Sequence, residues 1–233
     1  MKIALLGYGR MGKEIEKIAI SRGHEIVIKK DIDALIDITL ADVAIDFSVP
    51  NSAFDNISNC IKNNVPVISG TTGWLDKHED AVALCKKEKG AFIYASNFSI
   101  GVNIFFELNK QLAKMMHHLE DYAISLEEIH HTKKLDAPSG TAITLAEGII
   151  ENSSKENWEL GEKASKENIS ILAKRIPEVP GTHTVSYASE VDSIEIKHTA
   201  HSRKGFALGA VVAAEWILGK TGVFSMKDVL NIR

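Results

Sequence analysis

The length, composition and charge of this chain exclude several classes of protein. Its 233 residues, 45% hydrophobic and 25% charged, exceed the usual size of one hydrophobic core and favour two unequal globular domains. A formal net charge of −4 gives no general attraction to nucleic acid or anionic membranes, and a DNA-binding regulator would need a basic module that is not visible. We therefore expect a small-molecule partner, with no nucleic acid and no membrane.

The start of the chain and its cysteines indicate a cytoplasmic location. Met1 and Lys2 run directly into an apolar strand, without the longer apolar region and cleavage site of a signal peptide. No apolar run reaches membrane-spanning length. The two cysteines, Cys60 and Cys85, fall in predicted helices and are better explained as small buried side chains than as a disulfide or a metal pair.

A glycine motif follows the first predicted strand, residues 3–6. The motif comprises Gly7, Tyr8, Gly9, Arg10, Met11 and Gly12. A helix-like run and a second strand at residues 25–28 then lead to Asp31, an acidic residue about 20 positions beyond the last glycine. Such glycines permit a tight turn, close approach of the backbone to a pyrophosphate and close helix–strand packing. The unit predicts a site for NADH or NADPH; a glycine-rich turn that serves packing alone is the alternative.

Charged residues at the end of the second strand bear on the choice of cofactor. Asp31 is expected to meet the adenosine ribose hydroxyls, which favours NADH. Lys29 and Lys30 could instead accept the 2′-phosphate of NADPH. These opposed charges predict that both cofactors are used.

Alternating strands and helices continue to residue 95. Strands are predicted at residues 43–47, 65–69 and 91–95, and helices at residues 51–62 and 75–89. The pattern predicts a Rossmann-type doubly wound parallel sheet, in which ligands bind beyond the carboxyl ends of the strands. Two strand ends are therefore candidate cofactor walls: Gly70, Thr71 and Thr72, and then Ala95, Ser96, Asn97 and Phe98. Thr71 and Thr72 could equally be turn residues whose hydroxyls are satisfied within the protein.

A second, α+β domain is predicted to follow. A long helix over residues 101–119 and a strand at residues 122–129 precede antiparallel strands around residues 169–174, 182–188 and 193–198. A helix at residues 207–218 and a short segment at 226–230 return to the first domain. We expect residues 1–98 and 206–233 to bind the dinucleotide, and residues 99–205 to form a mixed or antiparallel sheet for substrate binding and oligomerisation. The adjacent His117 and His118 cannot share a helical face as a metal pair should, and no metal is expected.

A polar loop after the strand at residues 122–129 is the strongest candidate site. Within seven residues it carries His130, His131, Lys133, Lys134 and Asp136. Ser139 is a predicted N-cap for a helix over residues 142–150, and the free backbone N–H groups of the first turn would attract a carboxylate or a phosphate. A histidine or a lysine beside such an anion can donate a proton. A solvated surface loop with a chance histidine pair is the alternative.

These motifs together resemble the 4-hydroxy-tetrahydrodipicolinate reductase (dihydrodipicolinate reductase) family of lysine and diaminopimelate biosynthesis. The matching stretches are residues 7–12, 70–72, 95–98, 128–141, 201–210 and 222–230. They span nearly the whole chain, and the pattern His-His-x-x-Lys-x-Asp-Ala-Pro-Ser-Gly-Thr is the most specific of them. Another two-domain amino-acid or sugar dehydrogenase would share the glycine motif without needing this pattern.

The resemblance implies a reaction and roles for the loop. The expected enzyme passes hydride from NADH or NADPH to C4 of a cyclic α,β-unsaturated imine dicarboxylate after loss of its 4-hydroxyl, and the neighbouring carbon is protonated. The resemblance implies His130 and Lys134 as acid groups and His131, Gly140 and Thr141 as substrate-binding residues. It also implies a homotetramer, and Asp136 is expected to orient the loop.

One departure from the family is expected in the second domain. Between positions 181 and 194 the family usually carries a longer hairpin with the pattern Arg-Gly-Gly-x-Ile-x-Gly-x-His, whereas this chain has only the short stretch 182–193. We therefore expect the sheet of the second domain and its subunit contacts, rather than the chemistry, to differ from the family.

Overall fold

The computed structural model describes residues 1–31 and 36–232. By its internal contacts the chain forms two compact units. The first unit holds Met1–Ile100 together with the segment from Arg203 onwards, and the second holds Gly101–Ser202. Within the described ranges, no helix combines the length and the apolar composition needed to cross a membrane.

The elements alternate between strand and helix in the first part of the chain. In order they are β1 (Lys2–Leu6), α1 (Arg10–Ser21), β2 (Glu25–Lys30), β3 (Val43–Asp46), α2 (Pro50–Lys62), β4 (Val67–Ser69), α3 (His78–Glu88), β5 (Ala91–Tyr94) and α4 (Ile100–Met116). The later elements are β6 (Ala123–His130), α5 (Gly140–Ile150), β7 (Asn157–Leu160), β8 (Asn168–Arg175), β9 (Gly181–Ala188), β10 (Ser193–Ala200), α6 (Lys204–Ile217), β11 (Gly222–Phe224) and α7 (Met226–Val229).

The first unit is built on a six-stranded parallel sheet in the order β11-β5-β4-β3-β1-β2. Both faces of the sheet are covered, because separate apolar clusters pack against helices α1 and α6 on one side and α2 and α3 on the other. This is the Rossmann-type doubly wound arrangement predicted from the sequence. Strand β11 was not predicted, since three residues are too few to show a hydrophobic pattern.

The second unit contains a five-stranded mixed sheet in the order β10-β9-β6-β8-β7. Strand β9 is antiparallel to both of its neighbours. The prediction that residues 169–174 form an antiparallel strand is wrong, because β8 runs parallel to both β6 and β7. Helix α5 lies between β6 and β7 in the chain and provides the crossover that parallel pairing requires. One face of the sheet packs in an apolar cluster with α4 and α5.

Candidate active site

The three glycines of the motif after β1 serve different purposes. Gly7 has φ +97°, and a Cβ there would lie 2.1 Å from the carbonyl oxygen of Phe47. A Cβ on Gly12 would lie 2.4 Å from the carbonyl oxygen of Gly7, so Gly12 permits close packing of α1. Beside Gly9, in contrast, a Cβ would meet nothing within 4 Å. The open space at Gly9, next to the amino end of α1, suits an approaching phosphate group.

The lysines near this motif both have partners within the first unit. Lys29 Nζ lies 2.6 Å from Glu16 Oε1 and 5.0 Å from the ring centroid of Tyr8, whose hydroxyl also donates to Glu16. Lys30 Nζ donates to Asn56 Oδ1 at 2.8 Å. Asp31 is exposed directly after β2. Both lysine ammonium groups therefore already have partners within the protein, and either would have to share or leave its partner to bind the 2′-phosphate of NADPH.

Asp46 is a buried carboxylate that binds side chains around the first candidate cofactor wall, residues 70–72. It accepts hydrogen bonds from the hydroxyls of Ser48, Ser69 and Thr71 at 2.7, 2.8 and 2.7 Å, and from Asn56 Nδ2 at 2.9 Å. The Thr71 hydroxyl also accepts from the backbone N–H of Ser48, and Thr71 is 5% exposed. This favours the alternative in which Thr71 is a turn residue with a satisfied hydroxyl.

The remaining residues of the two walls divide into exposed and buried positions. Thr72 and Ser96 are exposed, whereas Gly70, Ala95 and Asn97 are half-buried. Phe98 is only 1% exposed, and its ring lies 5.8 Å from that of Phe47 in the apolar core. The side chains of Thr71 and Phe98 are thus occupied within the protein.

The opening at Gly9 gives a direct test of cofactor binding. Gly9→Ala should raise the Kd for NADH about tenfold, or ~1.4 kcal/mol, because the added methyl group meets the ligand rather than the protein. Binding can be measured by titration calorimetry, with the melting temperature as a check on folding. Gly12→Ala should instead lower the melting temperature, because its Cβ clashes with the Gly7 carbonyl. Unchanged NADH affinity in Gly9→Ala would contradict this placement.

The loop after β6 is organised by a second buried carboxylate, Glu128, which is 0% exposed. The backbone N–H of Ser139 lies 3.2 Å from both of its oxygens, and the Arg175 guanidinium donates to Oε1 at 3.2 Å. His130 Nδ1 lies 3.2 Å and His183 Nε2 3.7 Å from Oε2, although the His130 contact is not aligned as a hydrogen bond. Glu128 therefore connects three strands and the amino end of α5.

Strand register explains why these side chains meet. Glu128 faces His183 across the β6–β9 pair, and His130 faces Arg175 across the β6–β8 pair. Cross-strand partners share a face of the sheet. Burial disfavours the charged form of Glu128, but its polar contacts with His130, His183 and Ser139 outweigh burial and hold its pKa well below the ordinary range.

The amino end of α5 has the capped geometry predicted from the sequence. Ser139 Oγ accepts a hydrogen bond from the backbone N–H of Ala142 at 3.2 Å and lies 3.1 Å from His183 Nε2. Gly140 and Thr141 follow as the first two helical residues. A Cβ on Gly140 would meet nothing within 4 Å, so space remains beside this helix end. The arrangement suits a carboxylate.

Lys134 and His131 complete the loop. Lys134 Nζ donates to both carboxylate oxygens of Asp136, at 2.9 and 2.7 Å, and this bond lowers the pKa of Asp136. Asp136 thus holds Lys134 in place, in keeping with its expected orienting role. His131 is half-buried, and its Nδ1 is buried without a hydrogen-bond partner among the described residues.

Comparison with known proteins identifies the family. Residues 16–98 match the family model described as dihydrodipicolinate reductase, N-terminus, and residues 101–230 match the one for its C-terminus. The 4-hydroxy-tetrahydrodipicolinate reductase of Christiangramia forsetii is 62% identical over 99% of this chain and 98% of that protein. The one from Thermosipho africanus is 38% identical, with the same coverage of 99% and 98%.

The chain belongs to the dihydrodipicolinate reductase family. A solved structure of a dipicolinate-bound dihydrodipicolinate reductase from Paenisporosarcina sp. covers 100% of this chain and 99% of its own, with a TM-score of 0.76 at 22% identity. A probable dehydrogenase from Thermotoga maritima has a TM-score of 0.59 at 10% identity, covering 98% and 92%. At these identities the two likenesses show a shared fold.

The dihydrodipicolinate reductase pattern expected between positions 181 and 194 lies earlier in the chain. Arg175, Gly181 and His183 have the spacing of the Arg, the last Gly and the His in Arg-Gly-Gly-x-Ile-x-Gly-x-His, with Val179 in place of Ile. This placement removes the ground for expecting a shortened hairpin, and β9 and β10 are eight-residue strands paired along their full length. The Arg and His of the pattern both reach Glu128.

Three members of this cluster, Glu128, His130 and His183, also lie close enough to hold a metal ion. The Arg175 guanidinium already contacts the same carboxylate, and its fixed positive charge would repel a cation. In this member of the dihydrodipicolinate reductase family we therefore interpret the cluster as an electrostatic support for His130, whose Nδ1 lies 3.2 Å from Glu128 Oε2.

The burial of His183 predicts that the folded protein becomes less stable in acid. Burial lowers its pKa from the ordinary 6.5, so the unfolded chain binds a proton that the folded chain resists, and stability should fall as the pH drops below about 6.5. Glu128, whose pKa is also lowered, should add a further loss below about 4.5. Urea unfolding at about pH 7.5, 6.0 and 5.0 should show a smaller loss of stability in acid for His183→Gln than for the wild type.

The exposed His201 provides the control for this prediction. His201→Gln should follow the wild-type pH dependence of unfolding. If His183→Gln lost as much stability as the wild type between neutral and mildly acidic pH, the buried imidazole would not be the responsible group.

Proposed function

We propose that this chain reduces 4-hydroxy-tetrahydrodipicolinate to tetrahydrodipicolinate with the loop after β6 as its active site. It is an NAD(P)H-dependent oxidoreductase of the dihydrodipicolinate reductase family. When bound, the nicotinamide supplies the hydride that reduces C4 of the cyclic imine. We further propose that residues 1–98 and 206–233 bind the cofactor and residues 99–205 the substrate.

The substrate is a dicarboxylate, and the amino end of α5 offers matching groups. The backbone N–H groups of Gly140 and Thr141 lie in the first turn, where the helix dipole favours an anion. His131 lies on the same loop, and its buried Nδ1 has no hydrogen-bond partner among the residues that the structure describes. In this proposal the three residues hold one carboxylate, which orients the ring for reduction.

Reduction of the conjugated imine leaves an enamine-like carbon that needs a proton. Lys134 is the proposed donor, because its ammonium group is held by Asp136 and its charge attracts the dicarboxylate. His130 assists, supported through Nδ1 by Glu128, while its Nε2 is left to interact with substrate. Glu128 and Arg175 hold His130 in position and do not meet the substrate themselves.

The cofactor is expected to lie along the carboxyl ends of the parallel strands of the first unit. The residues that would hold it are Gly7, Tyr8, Gly9, Arg10, Met11, Gly12, Asp31, Gly70, Thr71, Thr72, Ala95, Ser96, Asn97 and Phe98. The free space at Gly9 and the adjacent start of α1 fit a pyrophosphate. Both NADH and NADPH are proposed as substrates of the same site.

The observation that carries this proposal is the convergence of His130, Ser139 and the helix start on one buried carboxylate, inside the stretch that matches the family model. The test is a coupled assay in which dihydrodipicolinate synthase provides the substrate and the loss of nicotinamide absorbance is followed. Cofactor oxidation that depends on the synthase supports the proposal. A folded protein that binds NADH without oxidising it in this assay would refute it.

The Lys29–Glu16 pair allows a prediction about cofactor choice. Glu16 opposes the positive charge that a 2′-phosphate would need, and Glu16→Gln keeps the polar contacts while removing that charge. The kcat/KM ratio of NADPH to NADH should rise about 1.5-fold to fivefold, the range of an exposed ion pair. Glu14→Gln, on the same helix and paired with Lys17, is the matched control. An unchanged ratio would show that Lys29 does not affect the choice between NADPH and NADH.

We also propose a cytoplasmic homotetramer. Both cysteines are buried free thiols, which suits a reducing compartment. The face of the mixed sheet opposite α4 and α5 carries short side chains such as Ala123, Ser125 and Ser170, a surface on which a second sheet could lie. Light scattering of the purified chain tests the assembly, and a monomer at enzymatic concentrations would refute it.

A further inference from the structure

A small pocket lies at the end of the second unit's sheet opposite to the candidate active site. It encloses about 240 Å³ between the carboxyl ends of α4 and α5 and the start of β6. Its apolar wall includes Ala113, Met116 and Ile124. Six residue steps along β6, from Ile124 in the pocket wall to His130, separate the two by roughly 20 Å, at ~3.3 Å per residue. The pocket is therefore separate from the loop to which we assign the chemistry.

The inner part of the pocket offers hydrogen-bond donors. Tyr187 is 1% exposed and lines the pocket, and its hydroxyl has no hydrogen-bond partner within the described part of the chain. Burial raises the pKa of Tyr187 to about 12, so the phenol keeps its proton. Half-buried Lys155 donates to the backbone carbonyl of Lys166, which uses one of its three N–H bonds. These groups suit a carboxylate.

The outer part of the pocket offers negative charge. Glu120 and Glu167 are both exposed on its rim. Lys166, also on the rim, lies 4.0 Å from Glu120 and offsets only part of this charge. The carboxyl ends of α4 and α5 add negative dipole ends to the same region. An ammonium group would be favoured here.

We propose that this pocket binds a zwitterionic aliphatic amino acid, with its carboxylate at Tyr187 and Lys155, its ammonium group near Glu120 and Glu167, and its side chain against Met116 and Ile124. The four charged side chains of the lining sum to zero, which matches a ligand without net charge. At ~30 Å³ for each water-sized atom, the volume accommodates on the order of eight such atoms, close to the size of leucine. A buried hydroxyl left unpaired is costly, and a bound carboxylate would remove that cost.

The test uses the full-length protein, with L-leucine as the probe and titration calorimetry as the measurement, without substrate or cofactor. Leucine should bind with a Kd of about 1 mM or tighter. 4-Methylpentanoate and 3-methylbutylamine, which keep the side chain and only one charged group, should bind at least about tenfold more weakly. Equal affinity for either analogue, or no binding of leucine at about 10 mM, would overturn the proposal.

Two tyrosines provide a matched pair of variants. Tyr187→Phe removes a hydroxyl that has no hydrogen-bond partner in the described ranges, so the protein should fold as before while its affinity for leucine falls about tenfold. Tyr122 lines the same pocket, but its hydroxyl donates to Asp192 at 2.6 Å, and Tyr122→Phe should change the affinity by less than about twofold. If leucine bound equally well to Tyr187→Phe and the wild type, its site would lie elsewhere. Because no reductase activity is measured, the result is independent of the proposed reaction.

Discussion

Lys134→Ala is expected to lower kcat by about 10²- to 10⁴-fold, the usual loss when a general acid is removed. Lys134 is the ammonium group that Asp136 holds on the loop after β6, within the stretch matched to the family's carboxyl-terminal model. Because the proposed cofactor-binding residues belong to the first unit, the Kd for NADH should stay nearly unchanged. Steady-state kinetics in the coupled assay give kcat, and calorimetry gives the cofactor affinity.

The neighbouring Lys133 is the control for this assignment. Lys133 is exposed and lies outside the matched positions of the family pattern, so Lys133→Ala should leave kcat within about threefold of the wild type. If the two alanine variants lost activity equally, the register of the assignment would be wrong. A loss of NADH affinity in Lys134→Ala would indicate damage beyond the loop.

Glu128→Gln is expected to harm both stability and turnover. The change removes a buried negative charge and leaves the Arg175 guanidinium without its ionic partner. The free energy of unfolding should fall by about 3 kcal/mol. This value is at the low end for a broken buried ion pair, because Arg175 is partly exposed. It also removes the carboxylate beside His130 Nδ1, so kcat should fall about 100-fold while the Kd for NADH is retained. Urea unfolding and steady-state kinetics measure the two effects.

A second variant separates positioning from general destabilisation. Arg175→Lys keeps a positive charge near Glu128 but loses the paired N–H geometry, so it should be destabilised yet keep most of its kcat. The pH profile of kcat should shift in Glu128→Gln and not in Arg175→Lys, because only the first changes the charge beside His130. If the pH profile of kcat did not shift in Glu128→Gln, the role of Glu128 would be purely structural.

Local patterns in the sequence were sufficient for the parts of the site that depend on neighbouring residues. The Ser139 cap and the start of α5 follow from a short polar stretch before an apolar run, and the parallel sheet follows from its alternating elements. The rule that ligands bind beyond the carboxyl ends of parallel strands was less informative about individual side chains. It does not predict that Thr71 binds Asp46 or that Phe98 is buried. Those facts depend on packing between strands.

The residues missed by the sequence analysis are brought together by pairing over long separations. Glu128 meets Arg175 and His183 only because β8 and β9 flank β6. One signal was present in β6, where Leu126, Glu128 and His130 alternate along what proves to be a buried face. A carboxylate at an apolar position of a strand needs a partner, and that need could have drawn attention to Glu128.

The cross-strand pairing at Glu128 and His130 has a consequence for the integrity of the enzyme. Neighbouring residues of a strand point to opposite faces, so a slip of one residue in β8 or β9 would send Arg175 or His183 to the far side of the sheet. Glu128 would then be buried without its counter-charge, Arg175, or without its contact to His183, and such a misaligned sheet would be both unstable and inactive. The side chains that support His130 thus also select the correct alignment of the strands, and a chain that has regained activity has also regained the native register.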